Sequence, residues 1–75
     1  MKLYNVNDFG ALGDGKADDS KAIQSCIDTC SENGGGTVVL LSGYTYFSSS
    51  IQIKKGVDLH LQKGSVLKAT DKIEN

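Results

Sequence analysis

Hydrophobic positions change their spacing along the chain, and each change marks a different element. From Tyr4 to Asp19 no period is sustained, and glycines at Gly10, Gly13 and Gly15 break an extended lead-in into turns. Ala22, Ile23, Cys26, Ile27 and Cys30 then fall at the spacing of one helical face. Asp18 or Asp19 can accept the first free N–H groups of that helix, and either carboxylate suits the positive end of its dipole. Asn33 and Gly34 end it, since both residue types accept a left-handed cap conformation. Beyond Gly35 the pattern shortens to strands. Thr37-Val38-Val39-Leu40-Leu41 is apolar and β-branched, Ile51-Gln52-Ile53 and Val57-Asp58-Leu59-His60-Leu61 alternate with period two, and Ser65-Val66-Leu67-Lys68-Ala69 is a weaker strand.

The strands carry a hint of repetition. Gly36 and Gly56 lie 20 positions apart, and Gly43 and Gly64 lie 21 apart. Strands recurring at that interval predict a solenoid, and no hairpin dipeptide such as Asn-Gly joins these strands, which disfavours a simple antiparallel meander. A solenoid end exposes a hydrophobic cross-section and unpaired strand edges, which the single amphipathic helix is suited to cover. The last residues, Thr70-Asp71-Lys72-Ile73-Glu74-Asn75, carry too little apolar surface to close the opposite end. Residues 1–75 are therefore expected to be the N-terminal cap and first coils of a longer chain.

Composition narrows the classes of function. Seventy-five residues give room for one domain, and a piece this small with an unpaired strand edge is expected to be marginally folded alone. The net charge is −1, and all eight basic residues are lysines. That balance disfavours nucleic acid or an anionic membrane as partner, and the absence of arginine excludes a bidentate guanidinium clamp. The first residues lack the apolar run of a secretory signal, and no stretch reaches the length of a membrane span. The chain is thus cytoplasmic if Met1 is native, and otherwise the start of a secreted mature protein. Cys26 and Cys30, four apart on one helical face, suit neither a disulfide nor, with His60 the sole histidine, a metal site; they read as buried thiols.

Several motifs invite a chemical reading and have a simpler one. Asp8-Phe9-Gly10 spells a kinase metal-binding triplet but lacks the surrounding lobe and loop, so Phe9 reads as an apolar anchor. Gly10-Ala11-Leu12-Gly13-Asp14-Gly15 has the wrong glycine order for a phosphate cradle and reads as a chain-reversing turn. Asp18-Asp19 could do acid–base work on a glycosidic bond, yet at a helix start capping is the simpler role. Asp14 with the glycine loop does not meet the calcium-loop pattern. His60 alternates away from Leu59 and Leu61 and is expected to face solvent. Tyr44, Tyr46 and Phe47 could stack on a sugar, with packing the commoner role, and Ser48-Ser49-Ser50 reads as a turn.

Three stretches together resemble a known family. Asp8-Phe9-Gly10-Ala11-Leu12-Gly13-Asp14-Gly15, Asp18-Asp19-Ser20-Lys21-Ala22-Ile23-Gln24 and Gly34-Gly35-Gly36-Thr37-Val38-Val39 resemble the opening of pectate-lyase-like β-helix proteins, a stretch shared with phage tailspikes. Thr45-Tyr46, Ser50-Ile51-Gln52-Ile53-Lys54 and Val57 to Leu67 are similar to the first coils of polygalacturonase-type glycoside hydrolases. The departures are Leu41 where the family usually has proline, Ser49 for a common glycine and Gly56 for a common asparagine. The resemblance implies a mainly β fold, a right-handed parallel β-helix opened by one amphipathic capping helix. For the parent protein it implies inverting hydrolysis of a galacturonate-containing, pectin-type polysaccharide by aspartates, without metal or organic cofactor. The family's Asn-Thr-Asp, Gly-His-Gly and Arg-Ile-Lys motifs are not in these 75 residues, and Asp18-Asp19 matches the helix-opening pair instead of the catalytic Asp-Asp. No catalytic, cofactor-binding or metal residue is therefore assigned to this stretch, which is expected to be inactive alone. A non-catalytic β-helix binding module of the tailspike or adhesin type and a pectate-lyase-type enzyme remain as alternatives.

Overall fold

In the computed structural model, residues 2–49 and 51–69 are described. They form β1 (Leu3–Asn5), a 3-10 turn (Val6–Phe9), β2 (Asp14–Asp18), α1 (Ser20–Glu32), β3 (Gly36–Leu40), β4 (Thr45–Ser48), β5 (Val57–Leu61) and β6 (Val66–Ala69). The strands make two three-stranded sheets, ordered β1-β3-β5 and β2-β4-β6, in which every pair is parallel. Each strand thus pairs with the one two places later, and no strand is joined to its neighbour by a hairpin.

The registers explain the repeat seen in the glycines. Thr37 pairs with Asp58 and Thr45 with Val66, both 21 positions on. Leu3 pairs with Thr37, 34 positions on. The excess of 13 equals the length of α1, which is 13 residues. The helix is thus an insertion into the first repeat; across it the second sheet is offset differently, Asp14 pairing with Thr45, 31 positions on, and Asp18 with Phe47, 29 on.

Alternation sends Val38 and Leu40 of β3 and Tyr46 of β4 inward, where they are fully buried. Ile23, Cys26, Ile27 and Cys30 of α1 close over them with Val6, and all five are also fully buried. The predicted helical face is the observed one, with Ala22 at its margin. Both cysteines are free and buried. Burial pushes the Cys26 thiol up from 9.0 to about 12, so both the geometry and the proton keep it inert.

Four expectations need correction. Asp14–Asp18 is a strand, although its sequence is polar and holds Gly15; Asp14 pairs with Thr45 and Asp18 with Phe47, so β2 carries a bulge. The lead-in from Tyr4 to Asp8 is extended only to Asn5, whose side chain accepts the Asn7 N–H and starts the 3-10 turn. Ile51-Gln52-Ile53 joins no ladder, because its neighbour in the previous repeat is a helix. The Asp18-Asp19 pair caps α1 as expected, through one member: Asp18 accepts the Ser20 N–H at 2.9 Å, while Asp19 occupies the N-cap without a side-chain capping bond. At the other end of α1, Asn33 is the C-cap with φ of −98°, and the left-handed conformation expected there is taken by Gly34, with φ of +96°. The turn expected at Ser48-Ser49-Ser50 begins inside β4 at Ser48, and Ser50 lies outside the described residues, as do Thr70 to Asn75.

Where the repeats stack, the backbone leaves no room for a side chain. A Cβ on Gly35 would stand 2.5 Å from the Gly56 carbonyl oxygen, and Gly35 has φ of +96°. The Gly36 N–H donates to that same oxygen at 3.0 Å, which ties the two corners together.

Candidate functional site

The carboxylates that invite a catalytic reading are engaged with backbone. Asp19 is 3% exposed and accepts N–H bonds from Leu12 at 3.0 Å and Gly13 at 3.1 Å, so it clamps the glycine loop onto the start of α1. Asp14 accepts from Lys16 and Ala17, both at 2.9 Å. The Ala17 and Lys16 N–H groups hold its carboxyl below the usual carboxylate range. Asp18 takes the Ser20 N–H and hydroxyl. The glycine loop is therefore a turn pinned by Asp19 and not a phosphate cradle.

The aromatic cluster divides between core and surface. Tyr46 is fully buried; its hydroxyl donates to Asn7 Oδ1 and accepts the Leu41 N–H at 3.2 Å, and burial raises its pKa. Tyr44 stacks on it with centroids 5.9 Å apart and keeps 36% exposure. Phe47 is half-buried, and His60 is exposed on β5 beside Asp58, as alternation predicts. Among the described residues, no three His, Cys, Asp or Glu side chains converge to hold a metal ion. No helix among them is long and apolar enough to cross a membrane.

One groove of about 260 Å³ lies among Ser48, Ser49, Ile51, Leu67 and Lys68. Leu67 pairs with the inward-facing Tyr46, and Ser48, two residues beyond Tyr46, shares its side of the sheet. The Ser48 hydroxyl is buried without a hydrogen-bond partner. The floor of the groove, at Ser48 and Leu67, is thus the inner side of the β2-β4-β6 sheet, and Lys68, next to Leu67 on β6, faces the opposite way. The residues that sequence reasoning passed over are Asp19 as a loop clamp and Gln24, whose side-chain amide meets the backbone of Gln52.

Two three-stranded, all-parallel sheets with one helix between β2 and β3 define a mainly β class of protein. The chain belongs to the rhamnogalacturonase A/epimerase, pectate lyase-like family, whose profile matches residues 3–75. It is 65% identical over 40 residues to alginate lyase 7 of Azotobacter vinelandii, a match covering 53% of this chain and 5% of that protein. It superposes on the family 28 exopolygalacturonase of Yersinia enterocolitica with a TM-score of 0.78 and 40% identity, over 91% of this chain and 12% of that one. It also superposes on PfbA, a surface adhesin of Streptococcus pneumoniae, with a TM-score of 0.87 and 33% identity, over 99% of this chain and 17% of that one. The 75 residues thus span a small part of each of these proteins. The polygalacturonase-type resemblance holds, and the relatives widen it to an alginate-acting enzyme and an adhesin.

Proposed function

We propose that residues 1–75 are the N-terminal cap and first coils of a right-handed parallel β-helix whose parent protein hydrolyses a galacturonate-containing polysaccharide. The observation that carries this reading is the 40% identity to an exopolygalacturonase sustained over 91% of the chain. Inverting hydrolysis needs a carboxylic acid that protonates the leaving oxygen and a carboxylate that activates water across the sugar ring. Asp14, Asp18 and Asp19 do not suit those roles, since backbone donors already take them. The reacting carboxylates are therefore assigned to later coils, and this stretch serves as their scaffold. Isolated, it is expected to cleave nothing.

A second reading is favoured by the 65% identity to an alginate lyase over just over half the chain. There a base removes the proton α to the uronate carboxyl, the glycosidic C–O bond breaks, and a C=C bond forms in the new non-reducing end. Both readings share a uronate polysaccharide as partner and differ in the fate of one proton.

The parent protein, incubated with polygalacturonate and with alginate, separates them. New reducing ends from polygalacturonate without ultraviolet absorbance support hydrolysis. Reducing ends accompanied by absorbance of an unsaturated uronate support elimination and overturn the hydrolase reading. Retained polysaccharide binding without new ends overturns both and leaves an adhesin-like module.

A further inference from the structure

Helix α1 meets the core with one side, and the adjoining side carries a row of polar residues with its own partner. Ser20, Gln24, Asp28 and Ser31 follow one another at intervals of four, four and three, which keeps them on one stripe of the helix. All four reach the same stretch of the next repeat. Ser20 Oγ accepts the Ser49 N–H at 2.6 Å. Gln24 Oε1 accepts the Gln52 N–H at 2.7 Å, and Gln24 Nε2 donates to the Gln52 carbonyl at 3.1 Å. Asp28 pairs with Lys54 Nζ at 3.0 Å, and Ser31 Oγ donates to the Lys55 carbonyl at 3.4 Å.

The contacts advance in the same direction along both partners. Seven steps of helix from Gln24 to Ser31 rise about 10 Å, and three steps of chain from Gln52 to Lys55 span at most about 10 Å, so the two stay nearly abreast. A residue of a parallel ladder offers its N–H and C=O to the same neighbouring strand. Gln24 meets both groups of Gln52 as such a neighbour would. Its orientation is fixed by a third bond, since Nε2 also donates to Asp28 Oδ1 at 3.0 Å. Turning the amide over would set Oε1 against two acceptors and Nε2 against a donor.

We propose that this polar row is a surrogate strand. On the side of the repeat where α1 replaces a ladder, it holds Ile51 to Lys55 in fixed register, with Gln24 as the positioning residue. A helix acting only as an apolar plug would accept any polar side chain at position 24. The inference holds whichever chemistry the parent protein performs, so its failure and that of the proposed activity are separate events.

Hydrogen exchange on the parent protein tests it, read on peptides covering Ile51 to Lys55, α1 and β3. Gln24→Met keeps the length and packing of the side chain and removes both hydrogen bonds. It is expected to speed exchange in the Ile51–Lys55 peptide about tenfold, the scale of one or two net hydrogen bonds, with α1 and β3 unchanged. Ser25→Gly, at an exposed position outside the row, weakens the helix without touching Gln52 and is expected to speed α1 more than Ile51–Lys55. Unchanged exchange of that peptide in Gln24→Met overturns the proposal. So does acceleration only in step with α1, as a plain loss of helix would give.

Discussion

The β3–β4 and β5–β6 repeats share one alternation and differ in what lies beside them. Val38, Leu40 and Tyr46 are fully buried, while their ladder partners Leu59, Leu61 and Leu67 are partly exposed, Leu61 to 40%. The partners have the same parity and point the same way. What separates them is their place in the sheets: β3 and β4 are central strands with α1 packed against them, whereas β5 and β6 are outer strands. Period-two patterning therefore chooses the side of a strand, and the neighbouring layer decides whether that side is dry.

The seam between the repeats is where the largest effect is expected. Gly34 and Gly35 both have φ of +96°, but a Cβ on Gly34 meets nothing within 4 Å, whereas one on Gly35 meets the Gly56 carbonyl. Gly34→Ala should cost about 1–2 kcal/mol from backbone strain alone. Gly35→Ala adds a clash with backbone that cannot swing aside, and should cost at least about 3 kcal/mol or prevent folding. Equal losses in urea unfolding would mean that the repeats are not held in contact at this corner.

Next comes the contrast between the ends. Ile27→Ala empties a fully buried position under α1 and should cost about 2–5 kcal/mol. Leu61→Ala removes a side chain that is already 40% exposed, and should cost about half as much or less in this chain. The ratio is the informative quantity. Should later coils stack on β5, as the proposed function requires, Leu61→Ala in the parent protein would approach the cost of Ile27→Ala.

How much of this was legible follows from the same contrast. The apolar face of α1 and strands β3, β5 and β6 are written in periodic hydrophobic residues, and the glycine interval gave the 21-residue step. β2 was hidden because Asp14-Gly15-Lys16-Ala17-Asp18 buries nothing large; it is a strand because β4 lies beside it. Ile51-Gln52-Ile53 shows the reverse, a strand-like alternation whose neighbour is a helix. Capping chemistry was visible in the Asp18-Asp19 pair, but the division of labour was not. Only the fold brings Asp19 to the Leu12 and Gly13 N–H groups, seven and six residues back. No pattern in the sequence joins Gln24 to Gln52, since a glutamine beside the apolar face of a helix is ordinary.

The buried thiols give the capped end a pH signature. Cys26 is raised from 9.0 to about 12 in the folded chain by burial, and Cys30 is raised in the same direction for the same reason. Below about pH 9 both states keep the proton and nothing changes. As pH climbs from there toward 12 the unfolded thiol ionises first, so stability falls with rising pH. Thermal unfolding at about pH 8 and about pH 10 should show the loss, and Cys26→Ala should make it shallower. An unaltered slope in Cys26→Ala would mean that water reaches the helix–sheet layer.

The smallest effect belongs to the polar side of the same helix, at Asp28. Its carboxyl is held below 3.8 by the hydrogen bond from Lys54 and then by that from Gln24. A lowered folded pKa means that the contribution is present above the unfolded value and is lost as pH falls through the folded one. The Lys54 and Asp28 side chains are 46% and 37% exposed, so water and salt screen the pair. Asp28→Asn should therefore leave thermal stability near pH 7 almost unchanged and flatten its decline below about pH 4. Added salt should erase the difference between the two proteins. If Asp28→Asn instead destabilises the chain at neutral pH as strongly as Ile27→Ala, the order of the two faces of α1 is reversed. The helix would then be held by its grip on the next repeat and not by its seat in the core.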